Sequence, residues 1–220
     1  MWLSDSFSKI LISFFTTFIV SLVNLRSSIF TLGKKAVLLC FLGYMAACQS
    51  PAEKQQESNL YYDVKGYVQT QIDLLNKQKP VVNKLMVVSG EQEKRSTAEI
   101  NWQKELELFV QADINKPAYR NSYAINRPDS VTYEYRVQTG EDLPVRTLKI
   151  VLNEPGGSPV LIEARLLSEN KLYESEKNLV LRSGQQGGTW RVQSYRVRGF
   201  QELAISSRKP FDVQATIQPR

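Results

Sequence analysis

Val131-Thr132-Tyr133-Glu134-Tyr135-Arg136-Val137 alternates apolar and polar residues at every step. A strand turns successive side chains to opposite faces. Val131, Tyr133, Tyr135 and Val137 therefore share one side and Thr132, Glu134 and Arg136 the other, the pattern of a strand buried on one face only. The period of two persists downstream. Thr139-Gly140-Glu141-Asp142-Leu143-Pro144 turns the chain into a second strand at 145–152, with Leu148, Ile150 and Leu152 inward, and Glu154-Pro155-Gly156-Gly157-Ser158-Pro159 turns it again. Further strands are expected at 160–167, 172–176 with 179–181, 190–197, 200–206 and 211–217, the last with Phe211, Val213, Ala215 and Ile217 on one face. The alternation breaks between Val192 and Tyr195, which predicts a bulge. Ser183-Gly184-Gln185-Gln186-Gly187-Gly188 lies between two strands and opens no helix, so it reads as a hairpin loop and not as a phosphate cradle.

Upstream the period is helical. Tyr61, Val64, Val68, Ile72 and Leu75 recur at steps of three and four, with Tyr67 and Leu74 widening the stripe, while Asp63, Lys65, Gln69, Gln71 and Asn76 fall on the polar face. This helix ends before Pro80. Segments 81–88 and 93–100 flank Ser89-Gly90-Glu91-Gln92 as a hairpin. Asn101 is placed to cap a second helix over 102–113, with Trp102, Leu106, Phe109 and Val110 inward and Lys104, Glu105 and Glu107 on a solvated face. Short turns force antiparallel pairing, and helices segregated ahead of strands indicate α+β. The expected fold is two N-terminal helices and a hairpin packed on a curved antiparallel sheet of six or seven strands, forming a single domain over 60–220.

The chain of 220 residues contains no histidine and two cysteines, Cys40 and Cys48. The commonest general base and the commonest transition-metal ligand are thus both missing. Acidic candidates lie in loops, notably Glu141, Asp142 and Glu154, and none has a partner at a spacing that suggests paired carboxylates. No metal site, cofactor or catalytic residue is expected. The formal charge is +6, and half of it sits before Cys48, where Lys9, Arg26, Lys34 and Lys35 face Asp5 alone. What remains is not the charge of a nucleic-acid binder.

Lys34-Lys35-Ala36-Val37-Leu38-Leu39-Cys40-Phe41-Leu42-Gly43-Tyr44-Met45-Ala46-Ala47-Cys48 has the basic start, short apolar run and small-residue ending of an export signal, and the run is short for a spanning helix. Met45-Ala46-Ala47-Cys48 resembles the lipobox of bacterial lipoproteins. That resemblance implies a diacylglyceryl group on the Cys48 thiol, cleavage before Cys48 and acylation of the new amino terminus. It further implies a membrane partner reached through lipid and a place in the cell envelope. By the sorting habit of enteric lipoproteins, Gln49 in place of aspartate implies the outer membrane. Residues 1–47 read as leader and 48–59 as a lipidated tether without one large apolar residue after Cys48. Ile10 to Leu25 is an apolar run closed by Arg26. Residues 1–33 read as a mis-called start ahead of a normal leader beginning near Leu32; a long leader removed whole and a retained membrane segment are the alternatives. The general plan is similar to that of uncharacterised envelope lipoproteins of the Bacteroidota type.

The expected function is a lipid-anchored, non-catalytic binding or assembly module whose partner is another envelope protein. The first alternative is a carrier holding an apolar ligand between helices and sheet, broadly similar in architecture to periplasmic lipoprotein carriers, with Tyr61, Val64, Tyr67, Val68 and Trp102 toward the ligand. The second is a carboxylate-dependent hydrolase. In the polar and aromatic connector 114–123, Tyr119, Arg120, Asn121 and Tyr123 are the recognition candidates.

Overall fold

A computed structural model describes residues 60–218, all within one compact unit, Ser58–Arg220. The leader, Cys48 and the tether lie outside the described residues. The strands are β1 (Val82–Val88), β2 (Glu91–Thr97), β3 (Tyr123–Asn126), β4 (Thr132–Val137), β5 (Val145–Leu152), β6 (Pro159–Asn170), β7 (Tyr173–Gln186), β8 (Thr189–Leu203) and β9 (Lys209–Ile217). They form one antiparallel sheet in the order β2-β1-β9-β8-β7-β6-β5-β4-β3. The class is α+β with an antiparallel sheet.

The sheet has nine strands where six or seven were expected, for two reasons. The hairpin β1–β2 does not pack on the sheet but extends it, with Val82 opposite Ile217 and Val88 opposite Phe211. This pairing satisfies the row of amide and carbonyl groups that β9 would otherwise leave open. The third added strand, β3, is cut from the connector, where Tyr123 pairs with Val137; its four residues are too few to show a period. Elsewhere the expected segments merge: 172–176 and 179–181 are one strand, and residues 200–203 continue β8.

Local chemistry accounts for the turns. Ser89-Gly90 and Gly187-Gly188 hold positive φ at both positions, 50° and 93° in the first and 58° and 77° in the second. Such two-residue turns match the twist of the strands they join. The expected bulge is present: the β7–β8 register shifts between Arg182 and Ser183, opposite Ser194 and Val192, leaving Gln193 as the extra residue.

Helix α1 (Val64–Gln78) begins where Asp63 Oδ1 accepts from the Gly66 amide at 2.7 Å. It ends at Lys79, which takes a left-handed φ of 45° and donates its N–H to Leu75 O at 2.8 Å. The expected helix over 102–113 is instead two single turns, α2 (Trp102–Glu105) and α3 (Glu107–Gln111), jointed at Leu106. Asn101 caps the first as expected, its Oδ1 accepting from the Lys104 amide at 3.1 Å. The joint lets Trp102, Leu106 and Phe109 all reach the interior, where none is more than 1% exposed. Glu105 is also drawn inward, contrary to its expected solvated position. Its carboxylate accepts from Lys84 Nζ at 2.7 Å and from the Tyr195 hydroxyl.

The helices cover one face of the sheet. Val64, Val68, Ile72 and Leu75 of α1 join Leu148, Ile150, Ile162, Leu179, Leu181 and Tyr195 of the sheet in one buried cluster. Each such aliphatic side chain contributes roughly 1.5–3 kcal/mol by leaving water. Gln71, placed on the polar face by its spacing, is 4% exposed. It meets the bulge: Gln71 Oε1 accepts from the Val192 amide at 2.9 Å and Nε2 donates to Trp190 O at 3.4 Å. No helix among the described residues is long and apolar enough to cross a membrane.

Candidate functional site

The candidates on the helical side, expected to face the sheet, are packed among their neighbours. Val64 and Val68 are fully buried and Trp102 is 1% exposed. The Tyr61 ring meets Tyr123 and Tyr135 edge-on, at centroid distances of 5.7 and 5.5 Å, and its hydroxyl donates to Tyr119 O at 3.2 Å. Edge-to-face geometry of this kind adds to area burial. Tyr67 donates to Ser183 Oγ at 2.7 Å, and burial pushes its hydroxyl up to about 12.

The connector candidates divide. Tyr123 is buried in β3 and donates to Val145 O at 2.9 Å, while Tyr119 is half-buried beside it, with ring centroids 6.3 Å apart. Arg120 and Asn121 point to solvent, Asn121 with a left-handed φ of 68°. The connector also fastens the start of α1. Asn115 Oδ1 accepts from the Tyr61 amide at 3.0 Å, and Nδ2 donates to the carbonyls of Tyr61 and Tyr62 at 3.2 and 3.1 Å. Asp113 accepts from the Lys65 and Asn115 amides. Burial raises its pKa, an effect that these hydrogen bonds only partly oppose.

The opposite face of the sheet carries a trough of about 550 Å³ across β4 to β8. The pleat sends the polar half of each alternating strand there. Register then sets two rows abreast. One is Glu134, Lys149, Glu163, Val180 and Arg196 on β4, β5, β6, β7 and β8. The other is Arg136, Thr147, Arg165, Asn178 and Arg198 on the same strands. All ten line the trough.

The cations Arg136, Lys149, Arg165, Arg196 and Arg198 outnumber the lining carboxylates Glu134 and Glu163. Three are partnered: Lys149 with Glu134 at 3.2 Å, Arg165 with Glu176 at 2.9 Å, and Arg196 with Asp212, its Nε at 2.9 Å from Oδ1. Hydrogen bonds from Arg165 and Arg196 hold the Glu176 and Asp212 carboxyls below their usual range; for Glu134 the hydrogen bond from Asn126 does so first and that from Lys149 second. Arg136 and Arg198 are exposed and, among the described residues, have no ion pair. They stand four strands apart in one row, roughly 19 Å at about 4.8 Å per strand.

Such a surface can hold anionic groups by charge-assisted hydrogen bonds. Among the described residues, no group of three or more His, Cys, Asp and Glu side chains is placed to hold a metal ion. None of the trough residues was singled out from sequence. Their only signal there was the polar half of the strand alternation, which by itself reads as a solvated face. Comparisons with family models, curated proteins and solved structures return no match.

Proposed function

We propose that this protein is a lipid-anchored envelope lipoprotein acting as a non-catalytic binding module, tethered at Cys48 and presenting the uncovered face of its sheet to a ligand or partner at the outer membrane. The lipobox and the polar tether support the anchor. The observation that carries the binding reading is the trough, where two exposed arginines stand without ion pairs among the described residues while the helix-covered face is lined by buried side chains.

Two measurements test the parts separately. Cells fed radioactive palmitate label the wild-type protein, and Cys48→Ser abolishes the label; a labelled Cys48→Ser variant overturns the anchor. A photo-crosslinking residue at Asn178, in the trough, gives a discrete adduct in intact cells, and the same residue at exposed Asn76 on α1 does not. Equal yields at the two positions refute the placement of the binding surface.

A further inference from the structure

We propose that the trough takes a linear acidic polysaccharide lying across the strands, in which acidic and neutral sugars alternate; this rests on the binding-module reading above. The row Arg136, Thr147, Arg165, Asn178, Arg198 places a guanidinium on every second strand, with a neutral hydrogen-bonding side chain on each strand between. Two strand spacings separate successive arginines by roughly 10 Å. A disaccharide repeat advances by a similar distance, so each acidic sugar meets an arginine and each neutral one presents its hydroxyls to Thr147 or Asn178. Arg165 uses Nη2 on Glu176 at 2.9 Å, and a guanidinium has five N–H donors, so it keeps donors for a second anion. Among the described residues neither Arg136 nor Arg198 has a carboxylate within ion-pair distance. Glu134 attracts Arg136 and Asp212, opposite Arg198 on β9 and bonded to Arg196, attracts Arg198 at longer range, which leaves both guanidiniums with donors for a ligand. In the parallel row, Glu134 and Glu163 supply acceptors for sugar hydroxyls.

Other polyanions fit the row less well. An extended acidic peptide repeats its same-face side chains every ~6.7 Å, out of step with arginines about 10 Å apart, and peptides join sheets along an edge strand and not across the strands. A single-stranded nucleic acid relies on aromatic platforms for its bases. Among the described residues, the only aromatic one in the lining is Tyr135, which is 3% exposed.

The test uses the full chain extracted in detergent, with binding followed by calorimetry. The probes are a hyaluronan octasaccharide, in which uronic acid alternates with N-acetylglucosamine, a chitin octasaccharide as the neutral match, a poly-glutamate peptide and an oligothymidylate of equal charge. Hyaluronan is expected to bind, more weakly as salt rises, with the neutral sugar inert. Arg136→Ala and Arg198→Ala should each weaken binding by about tenfold or more, as loss of a charge-assisted hydrogen bond does, with unchanged circular dichroism because both side chains are exposed. Equal binding of the chitin octasaccharide, or wild-type affinity in both variants, overturns the proposal. Preferential binding of the peptide or the oligonucleotide overturns the ligand class and leaves the binding module standing. Silence of all four probes with the Asn178 adduct still formed does the same, whereas silence with no adduct removes the binding module itself.

Discussion

Replacing Gln71 by leucine tests how the long helix is locked to the sheet. At the bulge, Gln193 is the extra residue, so the ladder between β7 and β8 is interrupted beside Val192. The Gln71 amide fills that interruption, accepting from Val192 N at 2.9 Å and donating to Trp190 O at 3.4 Å, from a side chain only 4% exposed. Leucine has nearly the same volume and neither capacity. The Val192 amide is then buried without a partner, at a cost of about 1–3 kcal/mol, and the longer bond to Trp190 adds about 1 kcal/mol at most, so a total loss of about 1–4 kcal/mol is expected. Gln71→Glu separates the two bonds. Glutamate still accepts from Val192 but, when ionised, sets a carboxylate against the Trp190 carbonyl. Its folded pKa is therefore raised above the unfolded value of about 4.3. Relative to wild type, this variant should be most stable below that value and lose stability as pH rises through the folded pKa. Urea unfolding followed by tryptophan fluorescence reads both effects as midpoint shifts at constant slope. Exposed Asn76→Ala serves as the control, expected to lie within about 0.5 kcal/mol of wild type. A Gln71→Leu variant as stable as that control would falsify the idea that this side chain closes the gap in the ladder.

Gly199 sits where an added Cβ would meet the Glu176 carbonyl oxygen at 1.9 Å, a contact with backbone that cannot move aside. Gly199→Ala should cost at least about 2 kcal/mol in urea unfolding, and a neutral result would show that β7 and β8 separate freely there. Glu105→Ala removes the acceptor shared by Lys84 and Tyr195, leaving an ammonium whose side chain is 14% exposed without its partner. A loss of about 2–3 kcal/mol is expected, less than for a fully buried pair, and Glu105→Gln should recover part of it through the Tyr195 hydroxyl; equal losses for the two variants would contradict the hydrogen-bonding role. Asp113 has a folded pKa raised by burial, so its contribution to stability is greatest below the unfolded value of about 3.9 and declines as pH rises through the folded pKa. The difference in urea midpoint between wild type and Asp113→Asn should therefore change with pH upward from about 4, in favour of the variant; a difference independent of pH would rule out the burial effect.

The features legible in sequence are those governed by neighbours along the chain. The alternation at 131–137 marks β4, the stripe of Val64, Val68, Ile72 and Leu75 marks α1, and Asn101 marks a helix start. The break between Val192 and Tyr195 marks the bulge. Rotation per residue is a local property, and so is the hydrogen bond of a cap to the next turn. Spacing alone places Gln71 and Glu105 toward water, because it counts a polar residue as outward. Their groups are inward because the bulge and the Tyr195 hydroxyl supply partners from strands far along the chain, and a buried polar group is tolerated where it finds one.

For this protein, sequence alone determined the order of helical and extended segments and which half of each strand is polar. Tertiary structure alone decided that β1 joins β9 and that Arg136, Arg165 and Arg198 fall into one row. The physical reason is register. A shift of one residue in any pairing would turn the polar half of that strand to the other face. Register is set by packing of the apolar half against the helices, an interaction that no single strand contains.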